Sequence, residues 1–434
     1  MNDNKNQYDV IIVGCGPVGA TLANLLGDFG CRVAIFDQDA AVCPFPRAVH
    51  IDDETLRIFQ SVGIYEAIKP AIKPFEEMQF VGANKKVMLQ IAVNDTTCKY
   101  GHDLANWFFQ PSLEKALRTK LLEYKNVDFF AQCEVTKLSD QETYCTVEVI
   151  SLLNKVQKQY TASYVLGCDG AKSLVRKMMQ VYHQNLQFDQ AWMVVDTVLN
   201  KNSYAQLLPQ LHQQICDPYR PITYVPCVGK HRRFEFMLRH NEQEEAMLKP
   251  KKINGLLKQF IEPNKLTVIR AAVYRFHGLI AQKWRKGRLF LAGDAAHQMP
   301  PFAGQGMCSG IRDAHNLAFK LYLVLSNNSP SALLNTYETE RKPHVLSLSK
   351  GAIKMGKLIQ TQNKVLAKLR NVQFLLANNC KPLAKLMHKT TIKKIAYKKG
   401  LLGQQHYLAG KLFVQPVVKD NTGRLCLLDD LLGN

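Results

Sequence analysis

Residues 10–37 read VIIVGCGPVGATLANLLGDFGCRVAIFD, and this stretch decides the fold. A short apolar run with β-branched residues predicts a buried parallel strand, and Gly14, Gly16 and Gly19 form G-x-G-x-x-G between that strand and a helix. The first glycine allows a tight turn, the second lets a pyrophosphate approach the backbone, and the third lets the helix pack closely on the strand. The phosphates would lie at the helix N-terminus, where free N–H groups favour anions.

A second apolar strand ends in Asp37, 23 residues after Gly14, where a carboxylate can accept hydrogen bonds from a ribose. A glycine-rich turn without a ligand is the alternative. The succession of strand, turn, helix, strand and terminal acid favours a dinucleotide-binding unit over that alternative.

Length and composition place the chain among ordinary soluble globular proteins of two to three domains, with 434 residues, 47% hydrophobic and 21% charged. The first apolar stretch is broken by glycines and a proline and lacks a basic segment before it, which argues against a signal peptide or membrane span. Twelve cysteines without a C-x-x-C pair predict buried thiols in a reducing compartment rather than disulfides or a metal site. We therefore expect a cytoplasmic protein.

The net charge of +20 is concentrated near the C-terminus, because residues 341–419 hold 17 Lys or Arg and no Asp or Glu. The favoured interpretation is a set of helices that pack on the body with solvated lysines. The alternative is a basic amphipathic surface for an anionic membrane or another acidic partner. A nucleic-acid partner is not expected, because no recognition motif accompanies the charge.

Two further motifs each combine a strand end with glycine and an acid. Residues 167–176 read GCDGAKSLVR and carry Asp169, although an ordinary Asp-Gly turn would have the same appearance. Residues 287–307 read GRLFLAGDAAHQMPPFAGQGM, where Asp294 ends a strand and Gly304 and Gly306 would let a flat ring lie against backbone N–H groups. For His297 we favour a structural role in ordering the loop over a catalytic one.

The pattern of strands predicts how the chain is divided. Residues 180–275 hold β-rich runs without a phosphate loop, typical of an inserted substrate domain. We expect a dinucleotide-binding domain from residues 1–179 and 276–345, with 71–110 adding strands to the substrate side. A basic helical segment at 346–411 and a short region at 412–434 complete the division.

Together the three motifs resemble the flavin-dependent aromatic hydroxylases, FAD monooxygenases of the para-hydroxybenzoate hydroxylase type, over about residues 8–345. Residues 46–54 (PRAVHIDDE) and 304–313 (GQGMCSGIRD) look most like the 3-(3-hydroxyphenyl)propionate hydroxylases. The resemblance implies an α/β fold with a Rossmann-like FAD-binding domain of the glutathione reductase type, an inserted sheet and a helical tail. In such relatives a thioredoxin-like domain follows, and residues 413–416 and 427–433 resemble its opening strands.

The resemblance also implies the cofactors and the reaction. NADH or NADPH binds transiently and reduces FAD, and a flavin hydroperoxide then hydroxylates a phenolic substrate with O2. No protein nucleophile or metal is needed. A homodimer is an open alternative to a monomer. The residues that the resemblance assigns to the cofactor are Gly14, Gly16, Pro17, Val18, Gly19, Asp37, Arg47, Gln110, Asp169, Gly293, Asp294, Pro301, Gly304, Gly306 and Met307.

The candidate substrate contacts are His50 and Asp52, which follow Arg47, and Tyr224, which would hydrogen-bond a phenolic oxygen from the inserted sheet. A structural role is the favoured alternative for each. Arg233 and Glu235 share one face of a strand, where they would simply pair. Two other functions stay open: a reductase or halogenase on the same fold, and a degenerate FAD-binding protein that acts as a membrane or partner adaptor.

Overall fold

Two eight-stranded sheets form the body of the computed structural model, which describes residues 6–94, 98–380, 394–403 and 406–432. The strands, in chain order, are β1 Gln7–Val13, β2 Val33–Asp37, β3 His50–Asp52, β4 Ile72–Pro74, β5 Glu77–Val81, β6 Val87–Ala92, β7 Ala105–Phe108, β8 Val127–Ala131, β9 Cys133–Asp140, β10 Cys145–Ser151, β11 Gln157–Gly167, β12 His183–Leu199, β13 His212–Ile215, β14 Ile222–Val225, β15 His231–Met237, β16 Leu266–Ala281, β17 Arg285–Lys286, β18 Leu289–Leu291, β19 His297–Gln298, β20 Val417–Lys419 and β21 Leu425–Leu427. The α-helices are α1 Pro17–Asp28, α2 Asp53–Ser61, α3 Tyr65–Ile68, α4 Gln110–Leu121, α5 Leu174–Met178, α6 Glu244–Met247, α7 Pro250–Leu257, α8 Gly306–Leu325, α9 Asn335–Ile359, α10 Lys364–Asn379 and α11 Leu428–Leu432.

The first sheet has the order β17-β18-β11-β1-β2-β8, with β10 and β9 added at β11. Its strands β18, β11, β1, β2 and β8 run parallel, and β1 at its centre is almost wholly buried. The carboxyl ends of three neighbouring strands are joined by backbone bonds, from Cys168 N to Val13 O (2.8 Å) and from Ala292 N to Gly167 O (3.0 Å). All three glycine motifs of the sequence therefore meet at one edge of this sheet. The predicted α/β fold with a Rossmann-like domain is confirmed.

Glycines permit this close approach. Gly14 has φ +97°, and a β-carbon on it would lie 2.6 Å from the carbonyl oxygen of Cys168. A β-carbon on Gly19 would lie 2.0 Å from the carbonyl oxygen of Gly14. These two residues bring α1 against the strand ends.

The second sheet has the order β19-β16-β12-β15-β14-β13-β5-β6 and is antiparallel except at β13–β5. Residues 77–92 and 297–298 belong to it as well as residues 183–281, so it draws on more of the chain than the 180–275 run suggests. One face packs an apolar core against α7 through Tyr224, Phe234 and Phe236. The opposite face looks towards the glycine-rich loops of the first sheet. A small third sheet has the order β3-β7-β4.

The structure corrects several local predictions. Helix α4 begins at Gln110, so this residue belongs to a helix and not to the strands that residues 71–110 were expected to supply. Residues 413–416 form no strand, and residues 428–432, which were expected to be extended, form helix α11. In the basic segment, α9 and α10 are helical, residues 394–403 and 406–411 are not, and residues 381–393 lie outside the described ranges. Within the described residues, no helix is long and apolar enough to cross a bilayer.

Candidate active site

The first part of the site is the turn between β1 and α1. Gly16 caps α1 in an extended conformation (φ −75°, ψ −175°), and a β-carbon on it would meet no heavy atom within 4 Å. The open space therefore lies beside the N-terminus of a twelve-residue helix, where backbone N–H groups favour a phosphate. Pro17 begins the helix, and Val18 packs against Gly293 and Gly310 of the neighbouring turn and helix.

Asp37 stands at the end of β2, beside the turn between β1 and α1. Its carboxylate accepts hydrogen bonds from the backbone N–H of Cys15 (2.6 Å) and of Asp39 (2.8 Å). Arg118 of α4 lies 3.6 Å from that carboxylate and donates to the carbonyl oxygen of Cys15 (3.1 Å). Arg118 was not predictable from sequence, because no motif or spacing connects α4 with the end of β2.

The loop that carries Arg47 is held from two sides. Gln110 accepts hydrogen bonds from the backbone N–H of Arg47 (2.9 Å) and Ala48 (2.6 Å), and donates to Glu114 (2.6 Å). From the second sheet, Arg233 donates to the carbonyl oxygens of Pro46 and Arg47. The Arg47 side chain stays 55% exposed, 3.4 Å from Glu114, and so is available to an anion in the cleft.

The turn at Gly293 and Asp294 is fixed by a buried network. Asp313 of α8 accepts from the backbone N–H of Gly293 (3.2 Å), bonds His297 (2.6 Å) and pairs with Arg341 (2.8 Å). Burial alone raises the pKa of Asp313, but His297 and Arg341 hold that pKa below its ordinary value. His297 thus orders the loop, the role favoured for it from sequence, whereas Asp313 and Arg341 went unnoticed there.

Asp294 itself faces the cleft. Its side chain is exposed to solvent, yet the surrounding protein raises its pKa, against a smaller lowering by His297 and Arg47. Asp169 has a different environment: its Oδ2 accepts from the backbone N–H of Val175 (3.1 Å) at the start of α5, and burial raises its pKa. Asp169 therefore holds the first turn of α5, whose N-cap is Ser173.

The loop before α8 forms the other end of the cleft. It turns at Pro301–Ala303 and Gly304 (φ +62°), and Gly306 and Met307 begin α8. His50 Nδ1 lies 3.1 Å from the Gly304 carbonyl oxygen. Because a carbonyl only accepts, Nδ1 carries the proton and Nε2 is left as an acceptor. Burial lowers the pKa of His50, which keeps the ring neutral.

An aromatic wall stands beside this loop. Trp107 stacks on Phe75 with ring centroids 3.9 Å apart and on His212 at 5.5 Å, and the His50 ring meets Trp107 edge-on at 6.4 Å. Burial lowers the pKa of His212 to about 3, so this ring is also neutral. The wall connects the Gly304 loop with the inner face of the second sheet.

Two of the three candidate substrate contacts are placed elsewhere. Asp52 is buried, caps α2 through Thr55 and bonds Arg312, which also bonds Glu54 (2.6 Å). Burial raises the pKa of Asp52, but Arg312, Lys394 and the hydrogen bond from Thr55 together bring that pKa below its ordinary value. Tyr224 lies on the outer face of the second sheet, packed against Phe234 (5.2 Å) and Phe260 (6.2 Å). The alternation of side chains along β14 turns it away from the cleft, which corrects the expectation of a substrate contact. Only His50 reaches the cleft.

The residues at the cleft fit FAD. The open space at Gly16 and the α1 N-terminus suit a pyrophosphate, the Asp37 carboxylate suits a ribose, and the Gly304–Met307 backbone suits a flat ring. When bound, FAD supplies hydride acceptance and oxygen chemistry that no side chain can provide.

Comparison with known proteins agrees with this geometry. A family described as FAD binding domain matches residues 7–352. The 3-(3-hydroxy-phenyl)propionate/3-hydroxycinnamic acid hydroxylase of Mycolicibacterium smegmatis is 34% identical over 438 residues, which cover 99% of this chain and 76% of the relative. The protein of the same name from Shigella sonnei is 33% identical over 437 residues, covering 99% and 77%.

Solved structures share the fold. The flavin-dependent monooxygenase PieE, in complex with FAD and substrate, superposes with a TM-score of 0.85 at 18% identity, over 97% of this chain and 83% of that one. Aklavinone-11 hydroxylase with FAD and aklavinone gives a TM-score of 0.81 at 19% identity, over 99% and 83%. The chain therefore belongs to the FAD-dependent aromatic hydroxylases, monooxygenases that use a nicotinamide dinucleotide and O2 on a small aromatic substrate.

Proposed function

We propose that this monooxygenase hydroxylates a phenolic acid of the hydroxyphenylpropionate type. The names of the relatives support this, and so does the position of the aromatic wall between the Gly304 loop and the second sheet. Trp107 is buried and stacked on Phe75 and His212, so it supports the wall from behind. The half-buried His50 offers a phenolic hydroxyl its Nε2 as an acceptor. The wall is the observation that carries the proposal.

Arg270 is the residue that we assign to the carboxylate of such an acid. It lies on the inner face of the second sheet, where it pairs in register with Asp196, and its guanidinium sits over the rings of Phe45 (5.9 Å) and Tyr274 (5.2 Å). Among the described residues, no carboxylate lies within 4 Å of it. A guanidinium without an acidic partner suits a carboxylate from outside.

The chain's own residues then have three tasks. Arg270 holds the acid, His50 at the front of the aromatic wall holds the ring, and the loop at Gly304 positions the ring against the cofactor. Orientation of this kind and exclusion of water favour hydroxylation over the wasteful release of peroxide.

The test compares 3-(3-hydroxyphenyl)propionate with 3-ethylphenol, which lacks the carboxylate, in wild type and in Arg270→Met. We expect the variant to raise KM for the acid by about 10-fold or more, in line with a charged hydrogen bond of ~1.5–3 kcal/mol, and to leave 3-ethylphenol unchanged. Arg275→Met, an exposed arginine on the same strand, is the control. Equal KM changes for both substrates would contradict the assignment, and no product from any phenolic acid would contradict the proposed function.

A second candidate role is attachment of this enzyme to an anionic membrane surface. Helix α10 exposes more than half of the surface of each of Val365, Leu369, Val372 and Leu376, which follow one another at helical spacing. Lys364 and Lys368 are exposed beside them. An apolar stripe flanked by lysines is typical of helices that lie in a membrane interface.

Sedimentation of the full chain with vesicles tests this role. Binding to phosphatidylserine vesicles but not to neutral ones, reduced when Val365 and Leu369 are replaced by serine, would support it. Equal recovery with both vesicle types would contradict it. The prediction of a cytoplasmic site of action, which is supported by twelve cysteines that form no disulfide in the structure, and the open question of a homodimer stay predictions.

A further inference from the structure

Glu235 lies on the inner face of the second sheet, beneath the cleft. It stands on β15 between Arg233 and Met237, and it pairs in register with Val194 of β12 and Thr223 of β14. Because side chains alternate along a strand, Arg233, Glu235 and Met237 share this face, whereas Phe234 and Phe236 enter the outer core.

The neighbours of Glu235 show what lies above it. On one side, Arg233 and Asp196 form an ion pair (2.7 Å), and Arg233 holds the loop that carries Arg47. On the other side, Trp192 meets the Phe302 ring of the Pro301–Ala303 turn at 5.7 Å. Along their strands, Glu235 and Val194 lie two residues from the Arg233–Asp196 pair on one side and two residues from Trp192 and its partner Met237 on the other. Two residues span about 6.5–7 Å of a strand. Glu235 therefore faces the space between the two loops that the cofactor site uses.

The expected pairing of Glu235 with Arg233 is weak in the structure. The guanidinium of Arg233 is engaged by Asp196 and by two backbone carbonyls, and its nearest approach to the Glu235 carboxylate is 4.0 Å. No side chain or backbone N–H of the described residues donates a hydrogen bond to that carboxylate. Its side chain is only 12% exposed, and burial raises its pKa to about 7, against the lowering by Arg233; Asp196 adds a further rise.

We propose that Glu235 is the base that accepts the proton of the substrate's phenolic hydroxyl, an inference that rests on the proposed function. The O–H bond of the phenol breaks, its electron pair stays on the phenolate oxygen, and a new O–H bond forms on the carboxylate. The phenolate makes the ring more electron-rich for hydroxylation. After the reaction the proton passes from Glu235 to the product oxygen or to water, which restores the carboxylate.

Product formation against pH in Glu235→Gln is the first test, with the FAD-loaded enzyme. At pH 7 we expect the hydroxylation rate to fall by about 10²- to 10⁴-fold, the usual contribution of general base catalysis. The rate of the variant should recover towards pH 10, where a phenol ionises without help. Glu235→Asp should retain part of the rate at pH 7, and Glu245→Gln, at an exposed position, should match wild type. A variant with wild-type rate and pH profile would overturn the proposal.

The second test uses 4-nitrophenol as a probe, because its phenolate absorbs visible light. Difference spectra should show that wild type binds the probe with a pH-dependent phenolate band, and that Glu235→Gln shifts this titration by one pH unit or more. An unshifted titration would overturn the role of Glu235 even where phenolic acids are hydroxylated. If the wild type hydroxylates no phenolic acid but Glu235→Gln still shifts the titration of bound 4-nitrophenol, the proposed substrate class is wrong and the role of Glu235 as a base is supported.

Discussion

Replacing Gly16 and Gly19 by alanine, one at a time, separates cofactor binding from folding. The structure gives the two glycines opposite surroundings: a β-carbon on Gly16 meets open space, whereas one on Gly19 would lie 2.0 Å from the carbonyl oxygen of Gly14. Gly16 also has backbone angles that alanine adopts without strain. We therefore expect Gly16→Ala to change mainly FAD affinity and Gly19→Ala to change mainly the stability of the apoprotein.

For Gly16→Ala, the apoprotein should unfold within about 1 kcal/mol of wild type, since alanine lowers the entropy of the unfolded chain. FAD affinity should fall by about 10- to 100-fold, because the methyl group displaces a phosphate from charged hydrogen bonds worth ~1.5–3 kcal/mol. Gly19→Ala should destabilise the apoprotein itself by about 3 kcal/mol, at the upper end of overpacking costs.

Urea unfolding of the apoprotein and fluorescence titration with FAD measure both quantities. Gly255→Ala, on a helix with no atom within 4 Å of its β-carbon, is the control and should leave FAD affinity unchanged. The reasoning fails if Gly16→Ala binds FAD as tightly as wild type, or if it destabilises the apoprotein as much as Gly19→Ala does.

Three other changes have expected results. Gly304→Ala places a β-carbon 2.7 Å from the His50 ring and should weaken FAD binding. Gly229→Ala, at nearly the same positive φ but in open space, should weaken it less. Equal effects of the two variants in the FAD titration would show that backbone strain, and not the contact with His50, is the cause. Arg312→Met leaves a buried acidic cluster without its main cation and should cost about 3–5 kcal/mol in urea unfolding, against ~1 kcal/mol or less for the exposed Arg275→Met; similar losses would contradict this. Burial raises the pKa of Glu235 from 4.5 to about 7, so the protonated side chain contributes its full stability below pH 4.5 and loses it as the pH rises to 7. This loss amounts to about 3 kcal/mol in the free energy of unfolding. Glu235→Gln should abolish it in unfolding measured from pH 4 to 8. An unchanged pH dependence in that variant would show that other groups cause it.

The nucleotide half of the fold was predictable from sequence because its signals are local. The strand at residues 10–13, the glycines after it and the acid at Asp37 lie within thirty residues, and each has a backbone reason to be there. Three strand-end motifs that are far apart in the chain meet because parallel strands place their carboxyl ends at one edge. That rule does not depend on side-chain detail.

Predictions for the second sheet were weaker because they depended on which face a residue takes. Tyr224 and Thr223 are neighbours in the chain, yet one enters the outer core and the other faces the cleft. A shift of one residue in a strand reverses that assignment, and the sequence alone does not fix it. For the same reason, the sequence suggested that Glu235 simply pairs with Arg233. The ion pair of Arg233 with Asp196 depends on the pairing of β15 with β12, which the sequence does not reveal.

Residues that act across distant elements were not predictable. Arg118, Asp313 and Arg341 support the cleft from helices, and no spacing in the sequence connects them with the loops that they hold. Asp52 lies close enough to Arg47 in the chain to suggest a shared site. In the structure its Oδ1 caps α2 and its Oδ2 accepts a hydrogen bond from Arg312, so neither oxygen is left for a substrate. Proximity to Arg47 in the sequence did not predict a shared site for Asp52, because helix α2 begins directly after Asp52.

The most direct measurement is nicotinamide dinucleotide oxidation by the FAD-loaded protein across a panel of phenolic acids, with hydroxylated product and peroxide both quantified. The account predicts that a hydroxyphenylpropionate-type acid stimulates oxidation and that most of the reducing equivalents appear in hydroxylated product. Oxidation that yields only peroxide with every phenolic acid, or a protein that binds no FAD, would contradict it.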